Sequence, residues 1–247
     1  MSEAAIRIAM WSGPRNISTA MMRAFENRLD TAVIDEPFYA VYLGATGADH
    51  PMRAESLASQ PTDWRAVVDG LLGPVPMGRH ILYQKHMTHH MVEEIDRAWT
   101  ARMRNAFLIR APEDVLVSYT AVRGRATLDD IGVPQQLELF EREAERLGRA
   151  PPVVDSHDVL AAPRGVLGAL CTALGIPFTD RMLSWPAGRR TSDGVWAPAW
   201  YAAVERSTGF SPPRERARFA DLPDDLKRVA EAARPAYDKL AAHRIHA

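Results

Sequence analysis

Apolar and polar positions along the chain follow two periods. Ile6, Ile8 and Met10 alternate with Arg7 and Ala9, and Trp11 extends the run, which is the pattern of a short strand. Ser12-Gly13-Pro14 then supplies turn chemistry, and residues 20–25 favour helix. The same sequence of events recurs. Residues 32–34 predict a second strand with Asp35-Glu36-Pro37 at its end, and HILYQKHM a third that ends in Lys85 and His86. NAFLIR, ending in Arg110, predicts a fourth, and PPVVDSHDVL a fifth with Asp155 and His157 at its end.

Helical periods lie between and after these runs. TDWRAVVDGLL reads as a helix capped by Thr62, and THHMVEEIDRAWT as one carrying Met91, Ile95 and Trp99 at a spacing of four. Pro112, Glu113 and Asp114 suit the first turn of a helix over PEDVLVSYTAVR. LDDIGVPQQLELFEREAERLG is one amphipathic helix or a pair, and PRGVLGALCTALGI is a helix stopped by Gly175 and Pro177. A closing helix is interrupted at Pro235. Residues 44–62 read as a polar, mobile loop, and residues 188–210 as a Gly/Trp-rich segment with a short helix. No internal repeat or low-complexity tract breaks the order.

Strands alternating with helices predict a three-layer α/β fold, a central mostly parallel sheet flanked by helices. We read one domain over residues 1–247, with a C-terminal helical segment from about residue 211. Arg15, Glu36, Lys85, Arg110 and Asp155 all fall at or just past predicted strand ends. In an open parallel sheet that edge is where ligands bind.

Composition narrows the partners. The 247 residues suffice for a large core, and a net charge of -1 gives no global attraction to nucleic acid or an anionic membrane. Cys171, the one cysteine, excludes an internal disulfide framework and sits on an apolar helical face as a buried, inert thiol. No apolar run reaches the length of a membrane span, and the N-terminus lacks the pattern of a secretory leader. A soluble, reducing, cytoplasmic setting is expected.

The strand–turn–helix over residues 6–25 is the arrangement that binds anions, through free backbone N–H groups at a helix N-terminus. Arg15 adds a cation, and Ser18 and Thr19 add hydroxyl donors. The plainer reading is an ordinary connection whose Arg faces solvent. The Walker pattern G-x-x-x-x-G-K-[ST] is absent. Arg110 and Ser118, two helical turns apart, can share one phosphate, or Arg110 can pair with Glu113 or Asp114. Glu36, with Asp35 beside it, is placed as a general base or as a capping or Arg-pairing carboxylate. His86, His89 and His90 have metal-ligand spacing, but no H-E-x-x-H and no distal ligand accompany them, so they read as solvated or capping histidines. Trp196, Trp200 and Tyr201 either line a pocket or pack the segment onto the core. Arg23, Arg28, Arg97, Arg102 and Arg104 read as solvated faces.

Here a resemblance enters. RAPEDVLVSY resembles the 3′-phosphate motif of P-loop sulfotransferases, and WSGPRNISTAMM resembles their 5′-phosphosulfate loop. VVDSHDVLAAPRGVLGALCTALGI is similar to the later strand–loop–helix of that family, and GRRTSDGVW to its late basic-Gly loop. The resemblance covers roughly residues 6–200 and implies a P-loop nucleotide-hydrolase-like fold. It implies the donor 3′-phosphoadenosine 5′-phosphosulfate, the product adenosine 3′,5′-bisphosphate, and no metal. Pro14, Arg15, Asn16, Ile17, Ser18 and Thr19 are then expected to wrap the 5′-phosphosulfate. Arg110 and Ser118 are expected to hold the 3′-phosphate, with Arg189 or Arg190 closing over it. Glu36 resembles the Glu-Pro base of bacterial carbohydrate-type members. Lys85-His86 resembles a Lys-x-His element shortened by one residue, which makes Lys85 a sulfate contact and His86 an alternative base. Arg15 stands where many members carry Lys, Ile17 where most carry Gly, and Ala20 and Met21 where an adenine-stacking aromatic is usual. The expected partner is a small-molecule or carbohydrate acceptor with a hydroxyl or amine, not nucleic acid or membrane. The rival readings are a small-molecule kinase using ATP and a catalytically silent nucleotide-binding protein.

Overall fold

The computed structural model describes residues 5–246; residues 1–4, which belong to the stretch read as lacking a leader, and residue 247 lie outside it. The five predicted strands form: β1 (Ile6–Ser12), β2 (Thr31–Asp35), β3 (Ile81–Met87), β4 (Arg104–Ile109) and β5 (Val153–Asp155). They make one sheet in the order β2-β3-β1-β4-β5, and every pairing is parallel. All five C-terminal ends therefore share one edge. Register places Lys85 beside both Met10 and Asp35, and Asp155 beside Ile109.

The connections supply the outer layers. After β1 comes α1 (Ser18–Glu26), and after β2 come α2 (Tyr39–Thr46), α3 (Arg53–Ser59) and α4 (Trp64–Leu72). After β4 come α5 (Pro112–Arg123), α6 (Leu128–Ile131) and α7 (Val133–Leu147). After β5 come α8 (Ser156–Ala161), α9 (Pro163–Ala173), the single turns α10 (Ala197–Trp200) and α11 (Ala202–Glu205), and α12 (Asp224–Ala241). Alternation along the strands sends side chains to opposite faces. Trp11, Phe107, Ile109 and Val153 pack with Leu116, Phe140 and Leu240 of α5, α7 and α12. Ile8, Met10, Tyr83 and Leu108 pack on the other face with Met21, Phe25 and Leu170 of α1 and α9. A third cluster, around Tyr39, Leu43, Trp196 and Tyr201, joins α2 to α10.

Several expectations need correction. The loop predicted over residues 44–62 contains the end of α2 and all of α3. The cap of α4 is Asp63, whose Oδ1 accepts from Arg65 N–H at 3.0 Å, rather than Thr62. Residues 88–100 are not a helix but two 3₁₀ turns, Thr88–His90 and Ala98–Arg102, joined by irregular chain. Between them the Arg97 guanidinium donates to the carbonyls of Met91 (2.8 Å) and Val92 (2.7 Å), which a helix would have satisfied with its own amides. Met91, Ile95 and Trp99 are buried all the same. The region 128–148 resolves into the pair α6 and α7, and α12 runs through Pro235 without a break. Arg23 and Arg28 are not solvated: they are 1% and 3% exposed, ion-paired to Asp193 (2.6 Å) and Asp30 (2.8 Å) respectively. Among the described residues no helix is long and apolar enough to cross a membrane.

Candidate active site

The loop between β1 and α1 is held by contacts that its small residues permit. A Cβ on Gly13 would lie 2.5 Å from the Ile131 carbonyl, so the close approach of the loop to α6 requires glycine. Asn16, 3% exposed, donates from Nδ2 to the Leu108 carbonyl at 3.2 Å and ties the loop to β4. Arg15 (φ 61°) and Ile17 (φ 56°) both adopt left-handed backbone, and Ile17 is the N-cap of α1. The conformation that glycine usually supplies is thus kept without glycine. Among the described residues, the Ser18 and Thr19 hydroxyls and the first amides of α1 have no protein partner.

This loop meets the second motif directly. Arg15 Nε donates to Ser118 Oγ at 3.0 Å, and Arg110 Nη1 donates to the Arg15 carbonyl at 2.6 Å. Arg110 also lies 3.9 Å from Asp114 Oδ2, the partner the plainer reading expects, at a distance that leaves most of its fork free. Burial lowers the pKa of Arg15 and of Arg110; for Arg110, Asp114 opposes this while Arg15 and Arg214 add to it. Both remain cations at neutral pH, and their crowding favours an incoming anion. Arg214 and Arg216 were not singled out by the sequence reading. They come from the irregular segment 211–218, pinned by the Ala217 N–H to Asp114 Oδ1 at 2.8 Å, and Arg216 lies 3.8 Å from Asp155. Their one sequence signal is the basic run PPRERAR. Arg190 is elsewhere, 3.7 Å from Glu26 with its amide on Asp193, and Arg189 is exposed; neither has a contact with Arg15, Arg110 or Ser118.

Further along the edge lies a buried charge cluster. Lys85 Nζ donates to Asp35 Oδ1 (2.8 Å), Glu36 Oε1 (2.5 Å) and Tyr201 Oη (2.6 Å). Tyr201 donates to Asp35 (2.8 Å) and accepts from Trp196 Nε1 (3.1 Å), and the Gly194 N–H donates to Asp35 Oδ2 (3.0 Å). Glu36 has φ 43°, and its amide donates to the Lys85 carbonyl at 2.9 Å. Burial raises the Glu36 pKa; Lys85 opposes the shift and Asp35 reinforces it. Burial alone would lower the Lys85 pKa, but Asp35 and Glu36 outweigh it, so Lys85 is firmly an ammonium. Two carboxylates around one ammonium leave Glu36 ready to accept a proton.

His86 is not in this cluster. As the next residue of β3 its side chain takes the opposite face, where it stacks on Trp11 at 4.4 Å and pairs with Gln84 Oε1 at 3.0 Å. Burial pushes its pKa down to about 3. His90 is likewise buried, at 2% exposure, and His89 is half-buried. His90 stacks on Tyr39 at 4.7 Å, and burial drives the His89 pKa down to about 3. Among the described residues no group of His, Cys, Asp and Glu has the geometry to hold a metal ion. Cys171 is fully buried, and burial raises its thiol pKa to about 11. A cavity of ≈ 760 Å³ opens beside Tyr42, His89, Glu93 and Asp129; neither Glu36 nor Lys85 lines it.

Comparison with known proteins gives the family and the fold. A family model described as the sulfotransferase domain matches residues 6–244. The chain is 35% and 32% identical to the branched-chain-amino-acid aminotransferase-like proteins 1 and 2 of Arabidopsis thaliana, over 97% of its own length in each case. It spans only 42% of the length of those relatives. Its fold is similar to the sulfotransferase domain of the Synechococcus PCC 7002 olefin synthase, with TM-score 0.56, 17% identity and coverage of 94% and 96% of the two chains. A sulfotransferase from Alicyclobacillus acidocaldarius superposes with TM-score 0.53 at 12% identity, covering 99% of this chain and 98% of that one. The chain belongs to the sulfotransferase family.

Proposed function

We propose that this family member is a sulfotransferase that uses 3′-phosphoadenosine 5′-phosphosulfate and transfers its sulfuryl group to a hydroxyl or amine of a small-molecule acceptor. The observation that carries this reading is the contact between the two motifs, Arg15 Nε on Ser118 Oγ at 3.0 Å and Arg110 on the Arg15 carbonyl at 2.6 Å. Two guanidiniums then stand together where the two phosphate ends of one nucleotide would be held. The residues fit such a group, because free amides and hydroxyls at the start of α1 accompany two crowded guanidiniums.

Residues 14–19 bind the 5′ side, Arg110 and Ser118 bind the 3′-phosphate, and Arg214 approaches the same place from the segment 211–218. Arg15 stabilises charge that grows on the oxygens during transfer. Glu36 is the base that takes the acceptor proton; His86 is not, because it is buried on the far face of β3. The donor supplies an activated sulfuryl group, so the chain needs to orient it, place the acceptor and receive one proton.

Calorimetry tests the donor class. Adenosine 3′,5′-bisphosphate should bind the wild-type protein at least about tenfold more tightly than ATP with Mg²⁺, a difference of about 1.4 kcal/mol. The reverse preference would favour the kinase reading, and no bisphosphate binding at all would end the sulfotransferase reading.

A further inference from the structure

A lysine ammonium has three N–H donors and no acceptor. Lys85 commits all three to protein, on Asp35, Glu36 and Tyr201 at 2.8, 2.5 and 2.6 Å. Its side chain is 1% exposed, so it has neither a spare proton nor a free face for a transferring group. Two of the three partners are themselves fully used. Tyr201 Oη accepts from Lys85 and from Trp196 and donates its proton to Asp35. Asp35 accepts from Lys85, Tyr201 and the Gly194 amide.

Glu36 is the exception. Its Oε1 carries the Lys85 bond and a long contact to Tyr201 at 3.4 Å. Its Oε2 has no protein partner among the described residues, and the side chain keeps 12% exposure against 1% for Lys85 and 2% for Asp35. Within the cluster, Oε2 is the oxygen whose lone pairs are left unused, on the most exposed of the three charged side chains.

We propose that Asp35 and Tyr201 are positioning residues, which saturate Lys85 so that it anchors Glu36 Oε1 and leaves Oε2 to receive the acceptor proton, while Lys85 itself makes no contact with the transferring group. This rests on the donor-dependent reading above. In the step concerned, the acceptor O–H or N–H bond breaks and its proton goes to Oε2. The freed electron pair forms the new bond to sulfur, and the S–O bond to phosphate breaks with its pair leaving on the bisphosphate. Tyr201 lies 116 residues beyond Lys85 in the chain. The segment around α10 and α11 is therefore part of the base, not only a wall of the site.

Two measurements decide the assignment. Calorimetry of wild type and Lys85→Met with the phosphosulfate donor and with adenosine 3′,5′-bisphosphate isolates contacts to the sulfuryl group. The preference between the two ligands should stay within about twofold of wild type, and a fall of about tenfold or more, or 1.4 kcal/mol, overturns the proposal. The second measurement needs no donor, and so separates a failure here from a failure of the donor reading. Carboxyl ¹³C NMR on Glu-labelled protein, with Glu36→Gln for assignment, follows Glu36 directly. Lys85 and Tyr201 both hold the Glu36 pKa down against burial. The midpoint should rise by about one pH unit or more in Lys85→Met, and in the same direction by less in Tyr201→Phe, which keeps the ring. Unchanged midpoints overturn the proposal, and should Lys85→Met not fold, Tyr201→Phe decides by itself.

Discussion

Ile17 holds φ 56° with a β-branched side chain, a conformation that costs about 1–3 kcal/mol unless the surroundings impose it. The surroundings here are the Asn16 tie to β4 and the start of α1. Glycine reaches the same backbone freely, so Ile17→Gly should keep its bisphosphate affinity within about threefold, or 0.7 kcal/mol, by calorimetry. A loss beyond tenfold would mean that the side chain itself shapes the site. Glu36 makes a prediction about pH. Burial raises its pKa, so it keeps its proton to a higher pH than an ordinary carboxylate and serves as base only above that point. The acid limb of kcat should therefore lie above about pH 4.3, the unperturbed glutamate value. A pH–rate profile flat down to that value would exclude Glu36, as would full activity in Glu36→Gln.

At the scale of elements, strands were legible because each carries a short apolar run with a polar side chain near or just past its end, as Lys85 does in β3 and Arg110 after β4. The failure at residues 88–100 has a physical reason. Met91, Ile95 and Trp99 recur at helical spacing because all three are buried, yet Arg97 takes the carbonyls that helical amides would need. Periodicity reports burial first and hydrogen bonding only by inference. The segment 44–62 failed in the other direction: its Gly, Ala and Ser content hides two helices that meet at Gly47 and Met52, both with positive φ. In the site, the two segments that meet, residues 14–19 and 110–118, were legible because each is local. Arg214 and Arg216 were not, nor was the bonding of Tyr201, expected only as a pocket or packing aromatic, to Lys85 and Asp35, since all three reach the edge from segments whose placement depends on tertiary contacts. Gly13 tests the contact between elements. Gly13→Ala drives a Cβ into the Ile131 carbonyl, a backbone atom, and should lower stability by about 1–3 kcal/mol in thermal unfolding. An unchanged melting temperature would show that α6 yields without cost.

For the molecule as a whole, parallel pairing sets where the candidate residues lie. It gathers Glu36, Lys85, the Arg15 loop and Arg110 from four connections onto one edge of the sheet, in the order of the strands. The same edge serves ligands in open α/β sheets generally. The family match over residues 6–244 includes all of these elements, α12 among them. The central claim is that the edge grips one nucleotide at both ends, through Arg15 on one side and Arg110 with Ser118 on the other. The most direct test is the ratio of affinities for adenosine 3′,5′-bisphosphate and adenosine 5′-monophosphate, measured by calorimetry on wild type and Arg110→Ala. Charge-assisted bonds to a 3′-phosphate are worth about 1.5–3 kcal/mol, so wild type should prefer the bisphosphate by about tenfold to a hundredfold. Arg110→Ala should lose most of that preference while its monophosphate affinity changes little. Equal binding of the two nucleotides by wild type, or a preference that survives in Arg110→Ala, would contradict the account.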